Sequence, residues 1–388
     1  MPIPVSYSIR NLWTRKLTTI LTAGGMALVA FVFAAVLMLA EGLEQTLVET
    51  GSPENAIVLR AAAETEVSSQ IDRQSAALAE IQPEVAQDGS GKAVASKESL
   101  VLVTLPKRET KKPTNVVVRG VGVRSTELRP QVKLIAGRKF QPGSREIIVG
   151  KSIAERIKGG YLDDTIRFAM SDWAVVGIFD AGKTAFNSEI WADADQLMQA
   201  FRRDTYSCLI ARVPGRKMFQ DFKDRLEHDV RLTVQVKREI DFYKEQSEVM
   251  SKFIRILGIA ITTFFSIGAI LGAMVTMYSA VANRIREIGT LRALGFTRIS
   301  ILGAFLAESL LLGLLGGFVG IAFSSLLQLL TISTMNWNTF SELAFGFRLT
   351  PSIAAYTIGF ALIMGLLGGM LPAWRASRLK IVDALRES

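Results

Sequence analysis

The chain contains 388 residues, of which 49% are hydrophobic, and it carries a formal net charge of +9. Its single cysteine, Cys208, excludes a disulfide within the chain, and its single histidine leaves too few groups for a usual catalytic triad or a Cys/His metal site. The pI near 9.6 is compatible with a nucleic-acid partner, but almost all of the basic excess lies in three short segments, 1–16, 284–298 and 375–388. We therefore predict no metal site and no nucleic-acid binding.

The basic segments lie beside four long runs that contain no Asp, Glu, Lys or Arg: 17–40, 256–283, 309–341 and 349–374. A hydrocarbon core about 30 Å thick requires roughly 20 helical residues, and each of the four runs is long enough. We predict spans at 17–40, 255–281, 299–327 and 351–373. The first run is longer than the apolar part of a secretory signal and lacks a small-x-small cleavage site, so it is interpreted as a retained anchor.

The positive flanks predict the orientation of the spans. Short Lys/Arg-rich segments stay in the cytoplasm, which places the N-terminal segment 1–16, the connection 282–298 and the tail 374–388 there. The region 41–254 and the loop 328–350 are then extracytoplasmic. We predict a multi-pass protein of a bacterial cytoplasmic (inner) membrane, with both termini cytoplasmic and the lipid bilayer as an obligatory partner.

The region 41–254 has a mixed pattern that predicts an α+β domain. Short β-branched or aromatic runs such as SLVLVTLP, REIIVG and WAVVGIFD are separated by Gly, Pro and Asp, which is typical of strands. These runs predict a β-rich insertion at about 95–200, carried by an α/β portion built from the segments that flank spans one and two. A long helix from about Glu239 is predicted to continue into the second span, as a rigid lever.

Residues 177–184, GIFDAGKT, match the consensus sequence of a phosphate-binding Walker A loop. The match is rejected for three reasons. Ile178 and Phe179 continue the strand WAVVGIF, the following AFNSEIWAD resembles a strand instead of the required helix, and the predicted topology places the segment outside the cytoplasm. We expect no nucleotide site here and no cofactor bound by this chain.

The cytoplasmic connection 282–298 is the densest candidate for function. Ile285, Ile288, Leu291 and Leu294 recur every three residues and are predicted to form one apolar stripe. Gly295 has the position of a C-cap. The segment is interpreted either as a helix lying on anionic headgroups or as a knob that inserts into a groove of a partner protein.

The sequence of this connection and of the span after it, NRIREIGTLRALGFTRISILGAFLAESLLLGLLGGFVGI, resembles the FtsX-like, MacB-type permeases of ABC transporters. The ending GGMLPAWRASRLKIVDALRES and the middle segments IAGRKFQPGSREIIVGKSIAERI and WAVVGIFDAGKTAFNSEIWAD are similar to the same family. The resemblance covers nearly the whole chain.

The resemblance implies a four-helix transmembrane domain with an α+β extracytoplasmic domain between spans one and two. It implies that the chain is not itself an enzyme, and that two permease subunits, either two copies or this chain and a related one, work with a dimer of a separate ABC ATPase that binds ATP and Mg²⁺. A periplasmic adaptor is left open. The ATPase contact is predicted to involve ten residues: Arg284, Ile285, Arg286, Glu287, Ile288, Gly289, Leu291, Arg292, Leu294 and Gly295.

Four residues of the spans are candidates for coupling or helix packing. Glu308 is the only acidic residue in a predicted span, and it is near enough to the membrane surface to reach water or an arginine partner. Gly316 and Gly317 suit close helix packing, and Pro372 belongs to the C-terminal motif.

Two functions from different classes are consistent with these features. The first is a permease subunit that couples ATP hydrolysis to export or extraction of lipids, lipoproteins, peptides or hydrophobic drugs. The second is a mechanotransmission protein that transports nothing and controls a periplasmic or cell-wall partner. The substrate is not predicted by the sequence.

Overall fold

The structure is a computed structural model that describes residues 11, 14, 16–336 and 339–379. Most of the predicted cytoplasmic segments 1–16 and 374–388 therefore lies outside the described residues. Contacts divide the chain into two compact units. We call them the helical unit (residues up to Glu41, Lys252–Leu330 and residues from Phe347 onward) and the sheet unit (Gly42–Ser251 and Thr331–Gly346).

The four longest helices follow from long apolar runs, and the shorter ones are more polar. In chain order they are α1 Lys16–Val48, α2 Arg73–Glu80, α3 Ser125–Leu128, α4 Lys151–Arg156, α5 Ala194–Ala200, α6 Arg216–Glu227, α7 Glu239–Ala282, α8 Ile285–Ala293, α9 Arg298–Ser325 and α10 Pro351–Ser377.

The strands coincide with the β-branched runs of the sequence. They are β1 Asn55–Arg60, β2 Ala95–Pro106, β3 Pro113–Val121, β4 Lys133–Gly137, β5 Glu146–Gly150, β6 Thr165–Phe168, β7 Ser171–Asp180, β8 Glu189–Asp193, β9 Cys208–Arg212, β10 Val234–Arg238, β11 Thr331–Met335 and β12 Glu342–Gly346.

Four helices of the described residues are long and apolar enough to cross a membrane: α1, α7, α9 with its 3-10 extension to Leu329, and α10. Their mean hydropathies are 2.4, 2.1, 2.2 and 1.8. The predicted four-helix transmembrane architecture is confirmed. The helix predicted from about Glu239 is continuous over 44 residues as α7.

The sheet unit contains one ten-stranded sheet with the order β10-β1-β9-β2-β3-β8-β5-β7-β4, and β6 pairs with β7. Strand β2 joins its two halves, because residues Ala95 to Glu98 pair with β9 whereas Ser99 to Pro106 pair with β3. One apolar core lies around β1, β9, β10, α2 and α6, and a second lies around β3, β5, β7 and β8. The predicted α/β portion with a β-rich insertion is therefore confirmed as the fold class.

Strands β11 and β12 form an antiparallel hairpin within 328–350, which the sequence predicts as an extracytoplasmic loop. The hairpin belongs to the sheet unit. Its backbone is joined to that unit by a hydrogen bond from Ala344 N to Ser188 Oγ, 3.1 Å long.

Glycines let the helices of the helical unit approach closely. A Cβ at Gly316 would lie 2.8 Å from Met26 Cβ of α1, and one at Gly317 would lie 3.0 Å from Ala361 Cβ of α10. The two adjacent glycines thus serve two different contacts of α9. Pro372 lies inside α10 and is buried.

Candidate coupling site

Helix α8 begins immediately after Arg284, and this residue joins it to the helical unit. The Arg284 side chain is buried, and its Nη1 donates to Glu308 Oε2 of α9 at 3.0 Å. Its Nε donates to Glu287 Oε2 at 2.9 Å, and the guanidinium lies 4.9 Å from the centroid of the Phe305 ring. A buried charge is tolerated when it is paired and hydrogen-bonded, so these contacts explain why an arginine and a glutamate can lie inside the bundle. The arginine partner expected for Glu308 is Arg284.

Two further residues of α8 face the bundle. Ile288 is 2% exposed and belongs to an apolar cluster with Met277, Ile301 and Phe305. Gly289 beside it is also buried. These positions hold α8 against α7 and α9, and their burial leaves them unavailable to a partner protein.

The four residues predicted as one apolar stripe do not share a face. Three residues turn a helix by about 300°, so each step of three falls roughly 60° short of a full turn. The two steps from Ile288 to Leu294 therefore change the direction by about 120°, and accordingly Ile288 is buried whereas Leu294 is 77% exposed. Ile285 and Leu291 are half-buried. The prediction of a single stripe is wrong in this respect, because it treated a spacing of three as if it matched the helical repeat.

Helix α8 ends in a Schellman motif. Gly295 has φ +94°, a conformation that suits glycine, its N–H donates to Arg292 O at 3.2 Å, and Phe296 N–H donates to Leu291 O at 3.1 Å. Thr297 then caps α9 by accepting from Ser300 N. The short turn fixes the exposed Leu294 at the end of α8. Arg286 is exposed as well, and Glu287 and Arg292 are half-exposed.

A polar cavity of about 380 Å³ lies beside Glu308 in the helical unit. Its lining includes Lys16, Asn283 and hydroxyl side chains of α1 and α7. Thr22 and Thr276 connect these two helices across it by a hydrogen bond of 2.9 Å. The cavity has room and polar partners for water, which would add to the solvation of the Glu308 carboxylate.

The first turn of α7 is held in the sheet unit by a buried network of charged groups. Glu239 accepts from Ser52 N at 3.0 Å and from Asn55 Nδ2 at 2.8 Å, and it pairs with Arg129 at 3.3 Å. One turn later, the Tyr243 hydroxyl donates to Glu66 Oε2 at 3.2 Å. Helix α7 is therefore joined to the sheet through buried side chains.

Glu98 is the centre of that network. It lies in β2 at the point where pairing passes from β9 to β3, and its carboxylate contacts Arg119 at 2.9 Å and Arg129 at 2.5 Å. Burial opposes ionisation of Glu98, but the two arginines outweigh it and the pKa of the carboxyl is lowered. Burial raises the pKa of Glu239, whose contact with Arg129 opposes that rise. Network members come from strands, loops and α7, and local sequence pattern does not group them.

Glu66, Glu98 and Cys208 lie close enough to suggest a metal site. The chemistry does not fit one. Both carboxylates are hydrogen-bonded to Arg119, and burial with the nearby Glu66 carboxylate raises the pKa of the Cys208 thiol well above its usual value. Metal binding needs a thiolate and available carboxylate oxygens, so this cluster is better described as part of the ionic network.

The segment that matches the Walker A spelling has the local structure expected from its sequence. Gly177 to Asp180 continue strand β7, and a 3-10 turn at Ala185–Ser188 leads into β8. Thr184 is buried, and its hydroxyl donates to Ala181 O at 2.9 Å. A phosphate loop requires an α-helix directly after its Gly-Lys-Thr end, whereas here a single 3-10 turn leads into a strand.

Comparison with known sequences gives two family matches that together cover most of the chain. The model of the MacB-like periplasmic core domain matches residues 19–229, and the model of the FtsX-like permease C-terminal region matches residues 259–381. The second match contains α8, Arg284 and Glu308.

Similar proteins include an ABC transporter permease of Bacillus subtilis (strain 168), YknZ, which is described as uncharacterized. It is 26% identical over 278 residues, covering 66% of this chain and 66% of YknZ. A macrolide export ATP-binding/permease protein MacB of Syntrophobacter fumaroxidans is 40% identical over 115 residues, covering 30% of this chain and 15% of that protein. The chain thus spans only a small part of the MacB relatives' length in such matches, 17% for MacB of Bdellovibrio bacteriovorus.

Solved structures that are similar to the chain include two domains. The extracellular domain of YknZ matches with a TM-score of 0.36 and 16% identity over 47% of this chain and 99% of that domain. The periplasmic region of MacB from Actinobacillus actinomycetemcomitans matches with a TM-score of 0.39 and 10% identity over 51% of this chain and 94% of that region. The two family matches together include the α/β domain, the α8 region and most of the four apolar helices. The chain therefore belongs to the MacB/FtsX-like permeases of ABC transporters.

Proposed function

We propose that this permease uses α8 to bind a separate ABC ATPase dimer and transmits ATP-driven movement along α7 to the sheet unit. The ATPase would bind ATP and Mg²⁺, and the complex would contain two permease subunits. In this proposal the predicted orientation holds, with α8 in the cytoplasm and the sheet unit outside it.

The observation that carries the proposal is the division of α8 into an anchored side and an exposed side. Arg284 and Ile288 fix the helix to the bundle, while Leu294 is 77% exposed at its end beside the hydrogen-bonded turn at Gly295. An exposed apolar side chain on a fixed support can enter a groove on a partner without a large loss of conformational entropy. Arg286 on the exposed side would add electrostatic complementarity to an acidic rim.

Movement of α8 would reach the sheet unit through α7. The helix is continuous from Glu239 to Ala282, and its first turn is joined to Arg129, Asn55 and the backbone of Ser52. A continuous helix without proline resists bending, so displacement at one end is transmitted to the other.

In this proposal the ATP-driven movement acts either on a transported substrate or on a partner protein. Export or extraction of a lipid, lipoprotein, peptide or hydrophobic drug is the first candidate, and control of a periplasmic or cell-wall protein, with or without an adaptor, is the second. Deletion of the gene distinguishes them: altered lipid or drug content of the envelope supports transport, and altered wall turnover with unchanged content supports control.

The ATPase contact is tested by reconstituting the full chain in lipid nanodiscs with the ATPase encoded beside it. We expect a stable complex whose ATP hydrolysis depends on the permease. Failure of candidate ATPases to bind the reconstituted chain would contradict the proposal.

A further inference from the structure

The sheet unit contains a groove of about 370 Å³ between the β2–β3 turn and the β11–β12 hairpin. The turn has the sequence KRETKK at residues 107–112, four cations against one carboxylate. Lys107, Lys112, Thr110 and Thr114 line the groove on this side. The groove therefore combines positive charge with hydroxyl donors.

At one edge of this groove, two cations share one carboxylate. Glu342 of the hairpin pairs with Lys107 Nζ at 2.9 Å and also contacts Arg156, and it accepts from Thr114 Oγ1 at 2.5 Å. The Glu342 side chain is 12% exposed, whereas those of Lys107 and Arg156 are about one-third exposed. Burial lowers the pKa of Lys107, and the nearby Arg156 lowers it further. Burial also lowers the pKa of Arg156. A second anion here would be stabilised by both cations.

The opposite side of the groove is partly apolar. Met335 and Phe340 of the hairpin region are 51% and 59% exposed, and both line the groove. One residue separates the 3-10 extension of α9 from the hairpin, and four residues separate the hairpin from α10. The hairpin thus lies between two membrane-spanning helices in the sequence, and phospholipid headgroups are the abundant anions of a membrane surface.

We propose that this groove binds a phosphate-bearing anion, with the phosphate held by Lys107, Lys112 and Thr110. A phosphate group offers several acceptor oxygens to ammonium and hydroxyl donors. Its source is a lipid headgroup, with Met335 and Phe340 against the adjoining hydrocarbon, or a soluble organic or inorganic phosphate. The proposal is independent of the ATPase contact.

The test measures binding of dihexanoyl phosphatidylglycerol to the full chain in a non-ionic detergent by native mass spectrometry. We expect Lys112→Glu to weaken binding at least about tenfold, because it places a like charge beside the phosphate. Thr110→Val keeps the charge and is expected to weaken binding several-fold. Lys217→Glu, which makes the same charge change at an exposed position in α6, serves as the control and is expected to bind as the wild type does.

Competition identifies the source of the phosphate. If 10 mM inorganic phosphate leaves lipid binding unchanged, the ligand is a lipid headgroup. If phosphate displaces the lipid, the site accepts soluble phosphate. Both results support the phosphate site. Equal affinity of the Lys112→Glu and Lys217→Glu proteins would overturn it, provided that thermal unfolding shows both to be folded. The ATPase is absent from this measurement, so its outcome does not affect the docking proposal.

Discussion

Arg284 and Glu308 are 24 residues apart and form a buried ion pair, with Arg284 Nη1 3.0 Å from Glu308 Oε2. The pair links the first residue before α8 to the interior of α9. Both side chains are less than 10% exposed, so the contact between them compensates two charges that water reaches poorly. This link explains how a helix of nine residues can have a fixed position on the bundle.

We predict that removing either charge alone is more damaging than removing both. Arg284→Met should destabilise the protein by roughly 3–5 kcal/mol, because the buried Glu308 carboxylate loses this ion pair, and Glu308→Leu should cost less, because Arg284 keeps its contact with Glu287. The double variant should recover most of that loss. Thermal unfolding of the detergent-solubilised chain measures the stability of all three variants. A double variant no more stable than the less stable single variant would show that neither residue is the main partner of the other.

The ionic network in the sheet unit predicts a contrast between two buried glutamates. Glu98→Gln should cost roughly 3–5 kcal/mol, because Arg119 and Arg129 both lose a charged partner. Glu239→Gln should cost less, because burial already disfavours its charged form and raises its pKa. Unfolding followed by fluorescence of the buried Trp173 and Trp191 reports on this unit, and an equal loss in both variants would contradict the assignment.

The same network predicts a pH dependence. The pKa of Glu98 is lowered in the folded protein, so its contribution to stability is complete above its unfolded pKa, about 4.3, and is lost as pH falls through the lower folded value. The wild type should therefore lose more stability than Glu98→Gln when pH is reduced below about 4.3. Parallel pH profiles of the two proteins would argue that Glu98 is not ionised in the fold.

Two glycines of α10 allow a matched test of helix packing. A Cβ at Gly365 would lie 2.6 Å from Ser309 O of α9, whereas a Cβ at Gly359 would have nothing within 4 Å. Gly365→Ala should destabilise the helical unit by about 1–3 kcal/mol through this backbone clash, and Gly359→Ala should be neutral or slightly stabilising. The melting temperatures of the two variants in one detergent provide the comparison, and equal values would indicate that α9 and α10 are less closely packed.

Local pattern was sufficient for the spans and for most strands of the sheet unit. Uncharged runs longer than 20 residues have few alternatives to a spanning helix, and short β-branched runs between Gly, Pro and Asp have few alternatives to strands. The hairpin β11–β12 was missed because its first strand continues the uncharged run of α9 and carries no boundary signal.

Features that depend on distant contacts were not predictable in the same way. Glu98, Arg119 and Glu239 meet only after β2 crosses between two halves of the sheet, and nothing in their spacing indicates this. The residue types of α8 were informative, but the direction of each side chain could not be predicted, because residues three apart do not stay on one face of a helix. Burial of Ile288 and exposure of Leu294 required the structure.

The central claim is that α8 binds an ATPase through its exposed end, and Leu294→Asp tests it most directly. Because Leu294 is 77% exposed, the change should leave the fold intact, but a carboxylate in a partner's apolar groove would be costly. Leu291 is half-buried, so Leu291→Asp is a less specific variant. Val230→Asp, which makes a similar apolar-to-acidic change at a fully exposed position of the sheet unit, is the control.

The decisive measurement is the dissociation constant between the neighbouring ATPase and the nanodisc-reconstituted permease, determined for the wild type, Leu294→Asp and Val230→Asp. We predict at least about a tenfold weaker complex for Leu294→Asp, equivalent to roughly 1.4 kcal/mol, and no change for Val230→Asp. If Leu294→Asp binds the ATPase as tightly as the wild type, α8 does not dock through this end, and the segment is better explained as a helix on the membrane surface.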